Sequence, residues 1–238
     1  MAGRKAELHY LEQMYHQNGN QLLVLYGKKE NEGREFVQNF CSDKKVFYYY
    51  APETSPQAQM QRMRKEIASH CQSVVSENSY DTFFKRIKSE DGTKLVLVID
   101  EFHHIVKKDD QFLESILKLK EKKLYSEPIM ILLCSSSISW VEQEMPEILG
   151  KSIKKITDIV KIKELRFLDL VRSFPNYEIR ECIEVYGIIG GVPEYIRHWE
   201  DKYDVGYNIC MQILSKDGYL YGKAEEMIRA QLRELSVY

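Results

Sequence analysis

Three short stretches of this 238-residue chain collect residue types that handle phosphate and water. Lys94-Leu-Val-Leu-Val-Ile99 is an apolar run that ends in Asp100-Glu101. An Asp fixed at a strand end can orient a magnesium ion and its waters, and an adjoining Glu can polarise an attacking water. Gln21-Leu-Leu-Val-Leu-Tyr26 ends at Gly27 and is followed by Lys28-Lys-Glu-Asn-Glu-Gly33-Arg34-Glu35. A glycine-bounded loop between strand and helix can aim backbone N–H groups at phosphate. Pro128-Ile-Met-Ile-Leu-Leu-Cys134 runs into the hydroxyls of Ser135-Ser136-Ser137.

The glycine loop departs from the phosphate-loop pattern G-x-x-x-x-G-K-[ST], whose Lys meets the β/γ-phosphates and whose Ser/Thr meets magnesium. Five residues separate Gly27 from Gly33, Arg34 stands in the Lys place and Glu35 in the Ser/Thr place. Aligned without the extra residue, Glu32, Gly33 and Arg34 take the Gly, Lys and Ser/Thr places. Lys28, Lys29 and Arg34 are offset by Glu30, Glu32 and Glu35, so the loop is formally neutral. One carboxylate against a triphosphate in a partly desolvated site costs on the order of a few kcal/mol. A loop with no nucleotide role and a loop in which Lys28 or Lys29 reaches the phosphates both stay open.

Other residues are read as structural. His103 and His104 cannot face one site from one regular element, so they are assigned to a helix start or loop surface rather than to a metal. Tyr48, Tyr49 and Tyr50 are assigned to an aromatic strand beside the sheet core. Lys118, Lys120, Lys122 and Lys123 form a solvated helix end.

The elements that must position these residues follow from periodicity. Strands are expected at 21–26, 45–50, 94–99 and 128–134, with a weaker one at 158–162. Their apolar runs are continuous rather than alternating, which implies burial on both faces and a parallel sheet. Helices are expected at 32–41, 56–75, 79–88 and 110–122, after an amphipathic start carrying Leu8, Leu11, Met14 and Tyr15. Alternation of strand and helix gives an α/β sandwich with right-handed crossovers. After about residue 163 only helices are expected, at 167–172, 177–189, 193–200, 204–214 and 220–235. The expected division is an α/β core over 1–163 and a helical lid over 164–238.

Composition narrows the function classes. The net charge of -2, from 34 basic and 36 acidic residues, does not indicate a nucleic-acid partner. No apolar run reaches the ~18 residues of a membrane span. Arg4, Lys5 and Glu7 occupy the place of a signal-peptide core. Cys41, Cys71, Cys134, Cys182 and Cys210 are scattered and are read as reduced, small apolar filler in a cytoplasmic protein.

The ordered set of segments is more specific than any one of them. Gly3-Arg4-x-x-Glu7-Leu8 is followed by the glycine loop, Val98-Ile-Asp-Glu-Phe102, Leu133-Cys-Ser-Ser-Ser-Ile-Ser-Trp140, Tyr186-Gly-Ile-Ile-Gly-Gly-Val-Pro-Glu-Tyr195 and Leu232-Arg-Glu-Leu-Ser-Val-Tyr238. This order resembles the prokaryotic P-loop ATPases of the AAA+/STAND type, in particular the archaeal-type ATPase family, over essentially the whole chain. The resemblance implies a P-loop NTPase three-layer sandwich with a five-stranded parallel sheet and a C-terminal helical lid. It implies ATP and Mg as cofactors, with Gly3, Arg4 and Pro193 near the adenine and Gly27, Lys28, Lys29, Gly33 and Arg34 in the phosphate loop. Asp100 would be the magnesium-orienting acid, Glu101 the water-activating one, and Ser135 or Ser136 the sensor. Family members carry Gly-Lys-Thr in the loop and commonly end the fourth strand Cys-Gly-Ser-Ser, so both places depart. The expected function is an ATP-binding domain of weak or absent hydrolysis that acts as a nucleotide-dependent or scaffold module for a protein partner. The alternatives are a working Mg-dependent ATPase with an unusual loop and a non-enzymatic interaction module.

Overall fold

The computed structural model describes residues 4–28, 33–72, 79–87, 92–121, 128–223, 225, 226 and 229. The chain divides into two compact units, Ala6–Lys163 and Glu164–Tyr238 together with Met1–Lys5.

The first unit is a three-layer α/β sandwich. Its strands are β1 (Gln21–Tyr26), β2 (Val46–Tyr50), β3 (Leu95–Asp100), β4 (Ile129–Ser135) and β5 (Asp158–Lys161). They form one parallel sheet in the order β2-β3-β4-β1-β5. One face, with Leu23, Leu25, Val96, Val98, Met130 and Leu132, packs against Leu11 of α1 (Lys5–His16) and Phe36, Val37 and Phe40 of α2 (Gly33–Phe40). The other face, with Leu22, Val24, Tyr49, Leu97, Ile99 and Ile131, packs against α3 (Pro56–His70), α4 (Tyr80–Arg86) and α6 (Gln111–Lys120). Burial of each Val, Leu, Ile or Phe contributes about 1.5–3 kcal/mol relative to exposure. Both faces are covered, so the central strands carry apolar residues at both parities.

Helix starts follow local chemistry. Ser55 accepts from the Ala58 N–H before Pro56 opens α3, and Ser79 accepts from the Thr82 N–H before α4. A short helix, α5 (His103–Val106), follows β3 directly. Between Ser137 and Asp158, where the sequence reading names no element, the chain makes a π-helical turn (Trp140–Glu144), α7 (Met145–Leu149) and a 3-10 turn (Gly150–Lys155). The buried Val141, Met145 and Leu149 stand four apart, a helical spacing, while Pro146 at the start of α7 and Gly150 after it keep the turns short.

The second unit contains no strand among its described residues. Its helices are α8 (Phe167–Ser173), α9 (Ile179–Ile189), α10 (Pro193–Arg197) and α11 (Val205–Asn208), the last continuing into a π-helical turn at Ile209–Leu214. Leu165, Leu170, Phe174, Cys182, Val185 and Trp199 form its core. At Gly191 an added Cβ would lie 1.8 Å from the Leu165 carbonyl oxygen, a backbone approach that only glycine permits. The helix expected at 220–235 falls largely outside the described residues. Among the described residues no helix is long and apolar enough to cross a membrane. All five cysteines are free thiols; Cys41 and Cys182 are buried, whereas Cys210 is exposed and so does not fill a core.

Candidate functional site

The tips of β1, β3 and β4 meet because β4 lies between the other two. Tyr26 is level with Ser135, and Asp100 with Cys134. Gly27 N–H donates to the Ser135 carbonyl (3.2 Å) and Phe102 N–H to the Cys134 carbonyl (3.1 Å), which ties the three exits together. From β1 the chain leaves through α2 toward β2, on one side, while the other neighbour of β1 is β5. A reversal of this kind at the carboxyl end of a parallel sheet opens a crevice where ligands bind in α/β proteins.

Strand parity decides where Asp100 points. It follows Val96 and Val98 on the face covered by α2. Arg34, the second residue of α2, donates from Nε to Asp100 Oδ2 at 2.8 Å. Tyr50 is level with Asp100 on β2, and Tyr48 lies two residues earlier on the same face. The Tyr48 hydroxyl donates to the same Oδ2 at 2.7 Å. Burial and the hydrogen bond to Asp100 push the Tyr48 phenol far above its ordinary range, so it stays a donor. The Arg34 guanidinium also lies 4.6 Å from the centre of the Tyr50 ring. Desolvation pulls Arg34 down, the charge of Asp100 pulls it up, and the second effect wins. Asp100 is 6% exposed, with Arg34 and Tyr48 on its Oδ2.

This arrangement does not fit a magnesium ion at Asp100. The carboxylate oxygen already serves a guanidinium and a phenol, and Glu35 rather than a hydroxyl follows Arg34. A divalent ion ~4 Å from the guanidinium would be repelled by about 8 kcal/mol at an effective dielectric of ~20, as much as Asp100 would attract it at that distance. Among the described residues no group of three or more His, Cys, Asp or Glu could hold a metal.

Glu101 is held by different groups. Its backbone has φ +57°, an unusual region for a residue with a side chain, and this turn reverses the chain away from the sheet. The carboxylate Oε2 accepts from the Ser136 N–H and the Ser136 hydroxyl, each at 3.0 Å. His103 Nδ1 lies 3.3 Å from the same oxygen and 3.0 Å from Ser135 Oγ. Ser135 Oγ also accepts from the Ser137 N–H at 3.1 Å. Burial, then the charges of His104 and Lys107, push His103 down to about 3, so its contact with Glu101 is a neutral hydrogen-bonding contact rather than an ion pair. A carboxylate oxygen only accepts, which favours the tautomer with the proton on Nδ1, between Glu101 and Ser135.

His103 therefore does not lie on a loop surface. It opens α5 but is buried, because the turn at Glu101 folds it back under the end of β4. Tyr48 is half-buried as an aromatic strand residue, but its hydroxyl also belongs to the acidic cluster. Neither role shows in the sequence alone: Tyr48 needs the pairing of β2 with β3, and His103 needs the left-handed backbone before it.

The remaining expected site residues are placed as follows. Gly27 ends β1 against β5, where an added Cβ would meet the Ile162 carbonyl oxygen at 2.4 Å. Lys28 is exposed in the loop after it. Gly33 opens α2, and no atom of the described residues lies within 4 Å of where a Cβ would be. Arg4 and Pro193 are both buried and both belong to the helical unit. Gly3 and Lys29 lie outside the described residues, as does the loop segment 29–32.

The family model of an ATPase domain found predominantly in Archaea matches residues 1–198. A curated relative, the uncharacterized protein MJECL04 of Methanocaldococcus jannaschii, is 20% identical over 235 residues, covering 99% of this chain and 52% of that protein. The chain thus spans about half the length of that relative. Among solved structures, the Walker-type ATPase PABY2304 of Pyrococcus abyssi superposes with TM-score 0.68 at 15% identity, covering 99% of this chain and 76% of that one. The ORC2 protein of Aeropyrum pernix in its ADP form superposes with TM-score 0.55 at 15% identity over 83% of this chain and 61% of that one. At these identities the structural likeness shows a shared P-loop ATPase fold.

Proposed function

The chain belongs to the family of ATPase domains found predominantly in Archaea, and from that premise we propose that it is a nucleotide-binding regulatory module of the AAA+/STAND type in which hydrolysis is slow or lost. The observation that carries this reading is the state of Glu101. Its carboxylate accepts two hydrogen bonds from Ser136 and sits beside the buried, neutral His103, with the side chain 12% exposed. A general base must reach the proton it takes within hydrogen-bond distance, directly or through one water. Here Oε2 is already occupied by the Ser136 N–H and hydroxyl, and Glu101 would have to leave Ser136 to serve a water. The Lys and Ser/Thr of the phosphate loop are replaced by Arg34 and Glu35, which removes two further parts of the hydrolytic apparatus. What remains is recognition of ATP or ADP at the tips of β1, β3 and β4, whose occupancy rather than turnover would signal to a protein partner.

The test is calorimetric titration with ATP and ADP, paired with phosphate release in the presence of magnesium. The expected result is saturable binding and no release above background. Turnover that disappears in Glu101→Gln would establish a working ATPase instead. Absence of binding for either nucleotide in every condition would leave a non-enzymatic interaction module.

A further inference from the structure

Asp100 ends the apolar strand where a P-loop ATPase would orient magnesium, yet its Oδ2 is taken by Arg34 Nε at 2.8 Å and Tyr48 Oη at 2.7 Å. We infer that Arg34 replaces the divalent cation at this site, so that the domain takes the polyphosphate of a nucleotide without magnesium. The inference rests on the nucleotide-binding reading above and specifies its ionic form.

The argument is one of charge and reach. Asp100 is buried and needs a cation; the guanidinium supplies one that is covalently part of the protein and always charged. Arg34 stands at the start of α2, half its side chain is exposed, and only its Nε edge is directed at Asp100. A guanidinium presents five N–H donors in a planar fork that suits phosphate oxygens. The Tyr50 ring against the guanidinium and the Tyr48 hydroxyl on the carboxylate limit how far either group strays. A phosphate arriving at the first turn of α2 therefore competes with Asp100 for Arg34, and Tyr48 keeps Asp100 hydrogen-bonded when Arg34 turns away. Magnesium, by contrast, has to enter beside a fixed positive charge and has no hydroxyl at Glu35 to complete its shell.

The experiment is calorimetric titration of the full chain with ATP and ADP in two arms, excess EDTA and excess magnesium. The expected result is affinity in EDTA within about threefold of that in magnesium, a difference of ~0.65 kcal/mol or less. Arg34→Gln is expected to weaken binding at least tenfold in both arms. Asp100→Asn, which leaves Tyr48 an acceptor and frees Arg34, is expected to tighten binding in EDTA severalfold. Binding seen only with magnesium overturns the inference and leaves the nucleotide reading standing. Loss of binding in Asp100→Asn confined to the magnesium arm overturns it likewise. No binding in either arm overturns both. Thermal melts of the two variants verify folding, and the two wild-type arms decide the question without either variant.

Discussion

Replacing Gly27 by alanine tests why the first glycine of the loop is there. The phosphate-loop reading gives Gly27 and Gly33 one purpose, close approach of backbone to phosphate; the packing separates them. An added Cβ at Gly27 would lie 2.4 Å from the Ile162 carbonyl oxygen and 3.1 Å from Ile162 Cβ, atoms at the end of β5. Carbon–oxygen contacts under 3.0 Å are essentially never tolerated, so the end of β5 must retreat by at least about 0.6 Å. That retreat pulls on the Ile162 N–H bond to the Tyr26 carbonyl, 2.7 Å long. Overpacking costs about 1–3 kcal/mol and the weakened bond about 1 more, giving ~2–4 kcal/mol. At Gly33 no atom of the described residues lies within 4 Å of the new methyl, and α2 has already begun. There alanine is expected to be neutral or to stabilise by up to ~1 kcal/mol through the unfolded chain. Urea denaturation of Gly27→Ala and Gly33→Ala against the wild type, followed by circular dichroism, measures the difference. Equal midpoints for the two variants, or a greater loss for Gly33→Ala, would refute the packing argument.

Three further outcomes follow from the same contacts. Tyr48→Phe removes a hydrogen bond to the buried Asp100 carboxylate and is expected to cost about 1.5–3 kcal/mol, and Arg34→Gln, which leaves that buried carboxylate without its cation, is expected to cost at least as much; a clearly smaller loss for Arg34→Gln would contradict the assignment. His103 stays neutral in the folded chain down to about pH 3 but protonates near 6.5 when unfolded, so the unfolded chain binds more protons between those values. Its contribution to stability is present above pH 6.5 and is lost as pH falls toward 3, by at most ~1.4 kcal/mol per pH unit. His103→Gln should flatten that slope, and an imidazole NMR titration midpoint near 6.5 in the folded protein would overturn it. In the helical unit, Asn208 donates to the carbonyls of Glu200 (2.8 Å) and Asp204 (3.2 Å) and to the Tyr177 hydroxyl (3.0 Å), and accepts from the Glu200 N–H (3.1 Å). Asn208→Ala should cost about 2–4 kcal/mol, and an unchanged urea midpoint would show that these bonds hold nothing.

How much of this was legible in the chain can be argued from single elements. Uninterrupted apolar runs such as Leu95–Ile99 have one stable solution, burial on both faces of a parallel sheet, and the five strands stand within a residue or two of their expected limits. Turn residues set the start of α3 at Pro56 and the end of α9 at Gly190, because proline and glycine act through their own backbone geometry. The stretch from Trp140 to Lys155 is harder to read: Val141, Met145 and Leu149 stand four apart, but the helical turns that carry them are short, of three different kinds, and broken at Pro146 and Gly150. Cys210 is assigned by residue type and His103 by its adjacency to His104, and neither fixes exposure.

The sequence by itself determined the sheet, its parallel sense, the acidic pair at the end of one strand and the hydroxyls at the end of another, because these depend on residues close together in the chain. It also displayed the departure of the segment from Gly27 to Glu35 from the pattern G-x-x-x-x-G-K-[ST]. Only the tertiary structure decided which strand lies between which, and with that what each acid touches. Placing β4 between β1 and β3 brought Ser136 to Glu101, and placing β2 beside β3 brought Tyr48 to Asp100. The packing of α2 on that face brought Arg34, 66 residues away in sequence, to the same oxygen. Hydrogen bonds over such separations are chosen by packing, because the entropy of closing so long a loop is met by the whole core and not by the two residues that meet.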